Sequence, residues 1–145
     1  MKRDWQELPR GDVHSALAGL HVTLNKKGFI VVNRTAFKRM GEPRAVLILF
    51  DRVNNRIGLR AANPTVRNAY PIAKCGRYGG RIVRAYRLLV EHGIDLPDTV
   101  EFPNAWIDED QVLNLDLRTA RISNRYLATQ RSPQKVDARP RIPLL

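Results

Sequence analysis

The residues whose types and spacing best indicate a function are two groups of basic side chains. Such side chains are suited to bind phosphate groups. The first group surrounds a predicted turn and short helix and consists of Lys26, Lys27, Arg34, Lys38 and Arg39. The second group consists of Arg77, Arg81, Arg84 and Arg87. Lysine and arginine near a nucleic acid displace its counterions, and arginine can also hydrogen-bond to guanine edges. We therefore predict that both groups bind nucleic acid.

Two tyrosines interleave with the second group. The last three of its arginines are spaced by three residues, so they lie along one side of the segment if it is helical. Tyr78 can stack on a base or pack on the core. For Tyr86, which is followed closely by two leucines, we expect packing in the core.

The charge of the whole chain points to the same class of partner. The 145 residues contain 25 Lys plus Arg and 14 Asp plus Glu, which gives a net charge of +11. A field of this sign attracts polyanions, and nucleic acid is the leading candidate. The charge is uneven: residues 26–60 hold nine basic and two acidic residues, residues 91–116 hold eight acidic residues and no Lys or Arg, and residues 118–141 hold seven basic residues and one acidic residue. We expect a basic unit, an acidic unit and a basic tail.

Residues that could support catalysis or hold a metal are few and scattered. The single cysteine, Cys75, has no partner for an internal disulfide, and His14, His21 and His92 lack zinc-ligand spacing. The acidic residues 108–110 lie between two apolar runs and favour a hairpin turn. No nucleophile elbow, phosphate-binding loop or dinucleotide fingerprint occurs. We predict that the protein is not an enzyme and has no cofactor or metal.

The hydropathy of the chain predicts its location. No run of about 18 apolar residues occurs, so no membrane span and no membrane partner are expected. The first twenty residues lack the uninterrupted apolar segment of a secretory signal. We expect the protein to be cytoplasmic.

The order of predicted elements gives a first unit over residues 21–62, after an N-terminal segment at 1–20. The runs "HVTLN" and "FIVVN" alternate like two strands joined by a turn. The run "RTAFKRMG" predicts a short helix that Asn33 caps and Gly41 closes. Residues 45–60 then predict a β-hairpin, so the unit is β-β-α-β-β.

A second, acidic unit is predicted over residues 80–117. Gly80 lies 52 positions after Gly28, and Gly93 lies 52 positions after Gly41. Between these glycines the sequence predicts a strand or the start of a helix, and then a helix over "AYRLLVEHG". A hairpin with "DED" at its turn is predicted to follow. Residues 63–79 are expected to be a linker with one short strand at "NAYPIAK". Residues 118–145 are expected to form a flexible basic tail, with a possible short helix at its start.

The first unit resembles the AbrB/SpoVT and MraZ group of DNA-binding proteins. The resemblance rests on the turn "NKKGF" at 25–29, the strand to Val32, the helix closed by Met40 and Gly41, and the hairpin at 45–60. It implies an α+β, mostly β fold in which two tandem AbrB-like β-β-α-β-β units form a swapped-hairpin barrel. The arrangement of two units in one chain is similar to MraZ.

Three residues depart from the pattern of that group. Asn25 stands where the group has an acidic residue, Phe29 stands where it has arginine, and Asn33 stands where it has proline. Asparagine caps a helix as well as proline starts one, so the fold tolerates this change. In the second unit Arg81 follows the glycine and restores the basic residue.

The resemblance implies a prokaryotic transcriptional regulator that binds DNA, and double-stranded DNA is the expected partner. Strand edges in such units predict a homo-oligomer. One alternative is an adaptor or antitoxin-like protein that keeps this fold, does not bind duplex DNA, and contacts a protein partner through the C-terminal tail. Another is a binder of single-stranded nucleic acid that uses Phe29, Tyr78 and the arginines.

Overall fold

The computed structural model describes residues 3–7 and 19–123 of the chain. This part is mostly β with two short helices, which confirms the predicted α+β class. The strands are β1 (Val22–Leu24), β2 (Phe29–Val32), β3 (Ala45–Asp51), β4 (Arg56–Ala62), β5 (Tyr70–Cys75), β6 (Gly80–Arg84), β7 (Val100–Glu101), β8 (Trp106–Ile107), β9 (Val112–Asp116) and β10 (Arg121–Ile122). The helices are α1 (Arg34–Arg39) and α2 (Tyr86–His92). Within the described ranges, neither helix has the length and apolar character needed to cross a membrane.

The strands form one antiparallel sheet in the order β10-β7-β1-β2-β6-β5-β3-β4-β9-β8. Alternate residues of its strands point into a single apolar core. Burial of each large apolar side chain there stabilises the fold by about 1.5–3 kcal/mol. Its fully buried members come from both ends of the sheet order: Val22, Leu24, Ile30, Val46, Ile57, Leu59, Val83, Leu113 and Leu115. The sheet therefore curls around one core.

Local hydrogen bonds explain where α1 begins and where α2 ends. The Asn33 side chain accepts a hydrogen bond from the backbone N–H of Ala36 at 3.0 Å, which confirms the predicted N-cap. Its amide nitrogen also donates to the carbonyl of Gly19 at 2.8 Å. Because α1 has only six residues, it depends on such a cap and on packing rather than on intrinsic helix propensity. Gly93 ends α2 in the left-handed conformation.

Two segments outside the predicted units belong to the packed sheet. The strand expected in the linker is present as β5, and it lies inside the sheet between β6 and β3. The expected flexible tail is wrong for its first residues, because β10 pairs with β7 and Ile122 is buried. The possible helix at the start of the tail is absent from residues 118–123, and the rest of the predicted tail lies outside the described residues.

The pairing of β2 with β6 is symmetric about its centre. Ile30 pairs with Val83, and Val31 pairs with Ile82. Since Ile82 lies 52 positions after Ile30 and Val83 lies 52 positions after Val31, each residue pairs with the counterpart of its neighbour. The β2–β6 ladder therefore has a local two-fold axis at its centre. We call β1 to β4 the first half of the chain and β5 to β9 the second half.

The pairing of β4 with β9 repeats this relation at a different offset. Ile57 pairs with Leu115, and Leu59 pairs with Leu113. Leu113 lies 56 positions after Ile57, and Leu115 lies 56 positions after Leu59. Two further ladders cross between the halves, because β3 pairs with β5 and β1 pairs with β7. Each half therefore completes its sheet with strands of the other half.

At Gly28 the backbones of the two halves approach each other closely. Its φ is +77°, and its carbonyl accepts a hydrogen bond of 2.8 Å from the N–H of Ala85. A Cβ atom at this position would overlap the Cα of Tyr86, which is backbone and cannot turn away. The turn between β1 and β2 therefore requires glycine both for its conformation and for its space.

The Gly28→Ala variant is expected to lose about 2–4 kcal/mol of unfolding free energy, since left-handed strain adds to overpacking against backbone. Gly76→Ala is the matched control, because Gly76 has a similar φ of +75° and open space around it. Its loss is expected to be about 1–2 kcal/mol. Urea denaturation measures both values. Equal losses would show that the packing at Gly28 is not tight.

Candidate nucleic-acid interface

The turn between β1 and β2 lies against the start of α2, and this juxtaposition forms a first basic patch. We define it by Lys26, Lys27, Arg84 and Tyr86, which are all exposed. The Asn25 side chain holds the turn by accepting hydrogen bonds of 3.0 Å from the backbone N–H groups of Lys27 and Phe29. Arg84 pairs with Phe29 across the β2–β6 ladder, and its guanidinium lies 5.6 Å from the centre of the Phe29 ring. Phe29 thus orients a cation from the other half.

The turn between β5 and β6 lies against the start of α1 and forms a second basic patch. We define it by Arg34, Lys38, Arg77 and Tyr78, which are also exposed. A Cβ atom on Gly79 would lie 3.0 Å from the Cδ of Arg34, so the turn and the helix are in close contact. Lys38 follows Arg34 by four residues and shares its side of α1. This patch lies at the opposite end of the β2–β6 ladder from the first one.

The structure therefore combines residues that the sequence keeps apart. Each patch takes its turn from one half and its helix from the other, so Lys26 and Arg84 belong together although they are far apart in the chain. The offset of 52 that relates Gly28 to Gly80 and Gly41 to Gly93 was a sequence signal of this arrangement, but only the antiparallel pairing of β2 with β6 shows what it means.

Arg81 differs from the other predicted binding residues because its side chain is engaged within the protein. It is half-buried, and its guanidinium donates to the carbonyls of Gly79 and Gly80, both at 3.0 Å. The guanidinium also lies 4.3 Å from the centre of the Phe37 ring, a cation–π contact. Arg81 thus ties the second turn to α1.

The expectation that Arg81, Arg84 and Arg87 share one side of a helix is wrong. The first two lie on β6, and α2 begins only at Tyr86. Residues three apart in a strand point to opposite faces, so Arg81 and Arg84 diverge. The expectation that Tyr86 packs in the core is also wrong, because 60% of its surface is exposed.

Arg39 and Arg87 face two grooves rather than the basic patches. Arg87 lines a groove of about 410 Å³ between α2 and β3, and it forms an exposed ion pair of 2.6 Å with Glu91. Arg39 lines a groove of about 530 Å³ with Trp106 and neighbouring residues of the second half. These two arginines are therefore less suited to bind nucleic acid than the cations of the patches. Arg87 is paired with Glu91, and both arginines lie beside hairpin strands.

In the described residues, no group of three potential metal ligands occurs. Asp108 accepts hydrogen bonds from the N–H groups of Asp110 and Val112 and from the side chain of Asn114, which confirms the predicted hairpin turn. These hydrogen bonds, the one from Asn114 first, lower the pKa of Asp108. Asp51 holds the β3–β4 turn in the same way, and hydrogen bonds from Asn54 lower its pKa.

His92 adds no charge to the basic surface near neutral pH. Its ring stacks on Phe50 at a centroid distance of 4.1 Å. Burial lowers the pKa of His92, nearby Arg52 lowers it further, and Glu91 opposes these effects. The half-buried Cys75 ends β5 opposite Gly80.

Comparisons of this chain with models of known protein families, with characterised proteins and with solved structures find no match. The resemblance to the AbrB and MraZ group stays a prediction from the residues.

Arg81→Ala is expected to lower the unfolding free energy by about 1–3 kcal/mol, because it removes a cation–π contact and two charge-assisted hydrogen bonds. Arg77→Ala, the exposed neighbour in the same turn, is expected to change it by no more than about 0.5 kcal/mol. Urea denaturation compares the two variants. A neutral Arg81→Ala would contradict a structural role for this residue.

Asp51 and Asp108, the carboxylates of the two hairpin turns, are expected to make the stability of the fold depend on pH. Their pKa values are lowered on folding, so they stabilise the fold above pH 3.8, and this contribution is lost as the pH falls through the lowered pKa values. The variant D51A/D108A is expected to unfold at lower temperature than wild type near neutral pH, and the difference should shrink well below pH 3.8. Thermal unfolding across this range measures it, with Glu109→Ala as the control for loss of an exposed turn carboxylate. A difference independent of pH would contradict the assignment.

Proposed function

We propose that this chain is a cytoplasmic DNA-binding protein, a prokaryotic transcriptional regulator in which two tandem AbrB-like units form a swapped-hairpin barrel within one chain. The carrying observation is the pair of basic patches at opposite ends of the β2–β6 ladder, which has a local two-fold axis at its centre. Duplex DNA has two antiparallel strands related by two-fold axes, so a surface with this symmetry can meet both backbones in equivalent ways.

The exchange of strands between the halves supports the proposed architecture. The β3–β4 hairpin pairs with β5 of the second half, and β7, which leads into the β8–β9 hairpin, pairs with β1 of the first. In the proposed barrel these are the swapped hairpins. The two symmetric ladders, β2 with β6 and β4 with β9, are the seams at which the units meet.

The spacing of the patches suits contacts to DNA backbones. The patches lie at the two ends of β2, whose four residues span roughly 10 Å at about 3.3 Å per residue. A major groove is about 12 Å wide, so the patches can reach phosphates on its two sides. Within residues 3–7 and 19–123, Lys26, Lys27, Lys38 and Arg77 form no ion pair, which leaves these cations available for phosphates.

Binding to duplex DNA tests the proposal through its dependence on salt. The variant K26A/K27A/R34A/K38A removes cations from both patches, and R44A/R52A/R60A/R67A removes the same charge from exposed positions elsewhere. We expect the patch variant to bind more weakly, with a logarithmic salt slope lower by about 0.9 for each phosphate that the variant no longer neutralises. The control variant should keep most of the affinity and slope of the wild type.

Fluorescence anisotropy of a labelled duplex over a series of salt concentrations gives both quantities. If the two variants weaken binding equally, net charge rather than the patches attracts the DNA. If the wild type does not bind duplex at low salt, the proposed function is wrong.

The predicted homo-oligomer and the predicted docking of the C-terminal tail remain separate proposals. In the described part the sheet ends at β8 and β10, and each of these strands has only two residues. Such short edges offer little to a further strand. Association of copies would therefore depend on side chains more than on extension of the sheet.

A further inference from the structure

The two basic patches each expose a tyrosine ring. The exposed fraction of the side chain is 85% for Tyr78 and 60% for Tyr86. A ring in water contributes little to the core, and tyrosine offers a flat apolar face that stacks well on other rings. These two residues therefore require an explanation other than packing.

The two tyrosines occupy different positions in the two patches: one lies on a turn, and the other lies on a helix. Tyr78 is the counterpart of Lys26, since the two are 52 positions apart, and Tyr86 is the counterpart of Arg34 by the same offset. The first patch thus has a cation on its turn and a ring on its helix, whereas the second has a ring on its turn and a cation on its helix. Each patch holds one ring and one cation at the two facing positions.

Close contacts at two glycines keep the tyrosine and the cation of each patch near one another. Gly28, two residues after Lys26, lies against the backbone of Tyr86. Gly79, directly after Tyr78, lies against the side chain of Arg34. The ring and the cation of each patch therefore belong to one continuous surface.

We infer that each patch stacks its tyrosine on an unpaired base while its cations hold the adjoining phosphates. This inference rests on the proposed DNA-binding function and specifies its ligand: a duplex with a locally unpaired region. Inside an intact duplex the base faces are covered by their neighbours, so a ring can reach them only where the stack opens. Stacking of bases on aromatic side chains tolerates any base sequence.

The symmetry of the patches favours an opened duplex over a continuous single strand. The two strands of an opened region run antiparallel, and the two patches lie at opposite ends of an antiparallel strand pair. Each patch can then take one base and its phosphates from one DNA strand. A lone single strand would have to follow the path between the patches without this two-fold correspondence.

The test compares three labelled DNAs: an intact duplex, the same duplex with a short central bubble of mismatches, and one of its single strands. We expect the wild type to bind the bubble about tenfold or more tighter than the duplex for each ring that stacks. The variant Y78A/Y86A should lose this preference, so that it binds the bubble and the intact duplex with equal affinity. The variant Y78F/Y86F keeps both rings and should keep the preference.

Trp5→Ala is the matched control, because Trp5 is an aromatic residue exposed to 83% and lies outside both patches. It should bind all three DNAs like the wild type. A fluorescent adenine analogue in the bubble should show quenching with the wild type and none with Y78A/Y86A.

The outcomes separate the inference from the proposal on which it rests. Equal affinity for bubble and duplex, or a bubble preference that survives in Y78A/Y86A, overturns the inference and leaves duplex binding in place. Tighter binding of the single strand than of the bubble overturns the assignment of one DNA strand to each patch. No binding to any of the three DNAs overturns the proposed function itself.

Discussion

The antiparallel pairing of β2 with β6 is the interaction on which the rest of the structure depends. It buries Ile30 and Val83 completely at the centre of the sheet order. Both helices start directly after these two strands, so the pairing also fixes where α1 and α2 begin. The glycine at position 28 allows the backbones to approach at one end of the pair. A change in this register would move both turns and both helix starts together.

The second symmetric ladder, β4 with β9, makes the two halves dependent on each other. Neither half can satisfy its strands alone, since β3 hydrogen-bonds to β5 and β1 hydrogen-bonds to β7. These contacts join residues that are distant in the sequence, so chain entropy must be lost before they form. Folding that depends on such contacts is slow compared with folding through local contacts. The short helices, which local hydrogen bonds define, are secondary to this arrangement.

Local chemistry made several elements predictable from the sequence. The Asn33 cap, Gly93 and the hairpin turns each depend on hydrogen bonds or dihedral angles within a few residues. The extent of the sheet and its strand order depend on distant partners. For this reason the role of β5 inside the sheet and the packing of β10 at its edge were not predicted. The same division between local and distant features holds for the candidate interface. The cations of the first turn and of α1 could be predicted, because the sequence shows them as basic residues beside a turn.

The arginines after position 80 do not lie along one side of a helix. A spacing of three residues places side chains on one side only in a helix, and here β6 continues to Arg84. Tyr86 is exposed although two leucines follow it closely, and no local pattern reveals this. The combination of turn and helix across the halves is a tertiary property.

The covalent connection of the two halves has a consequence for how such a surface can change over time. In an assembly of two identical copies, any substitution appears on both sides of the symmetry axis, so the two sides remain alike. Here a substitution at Lys26 leaves position 78 untouched, and each side can be altered without a matching change in the other. Dilution does not separate the halves either, because their association is unimolecular. The chain can therefore keep the geometry of a symmetric pair while its two faces acquire different preferences.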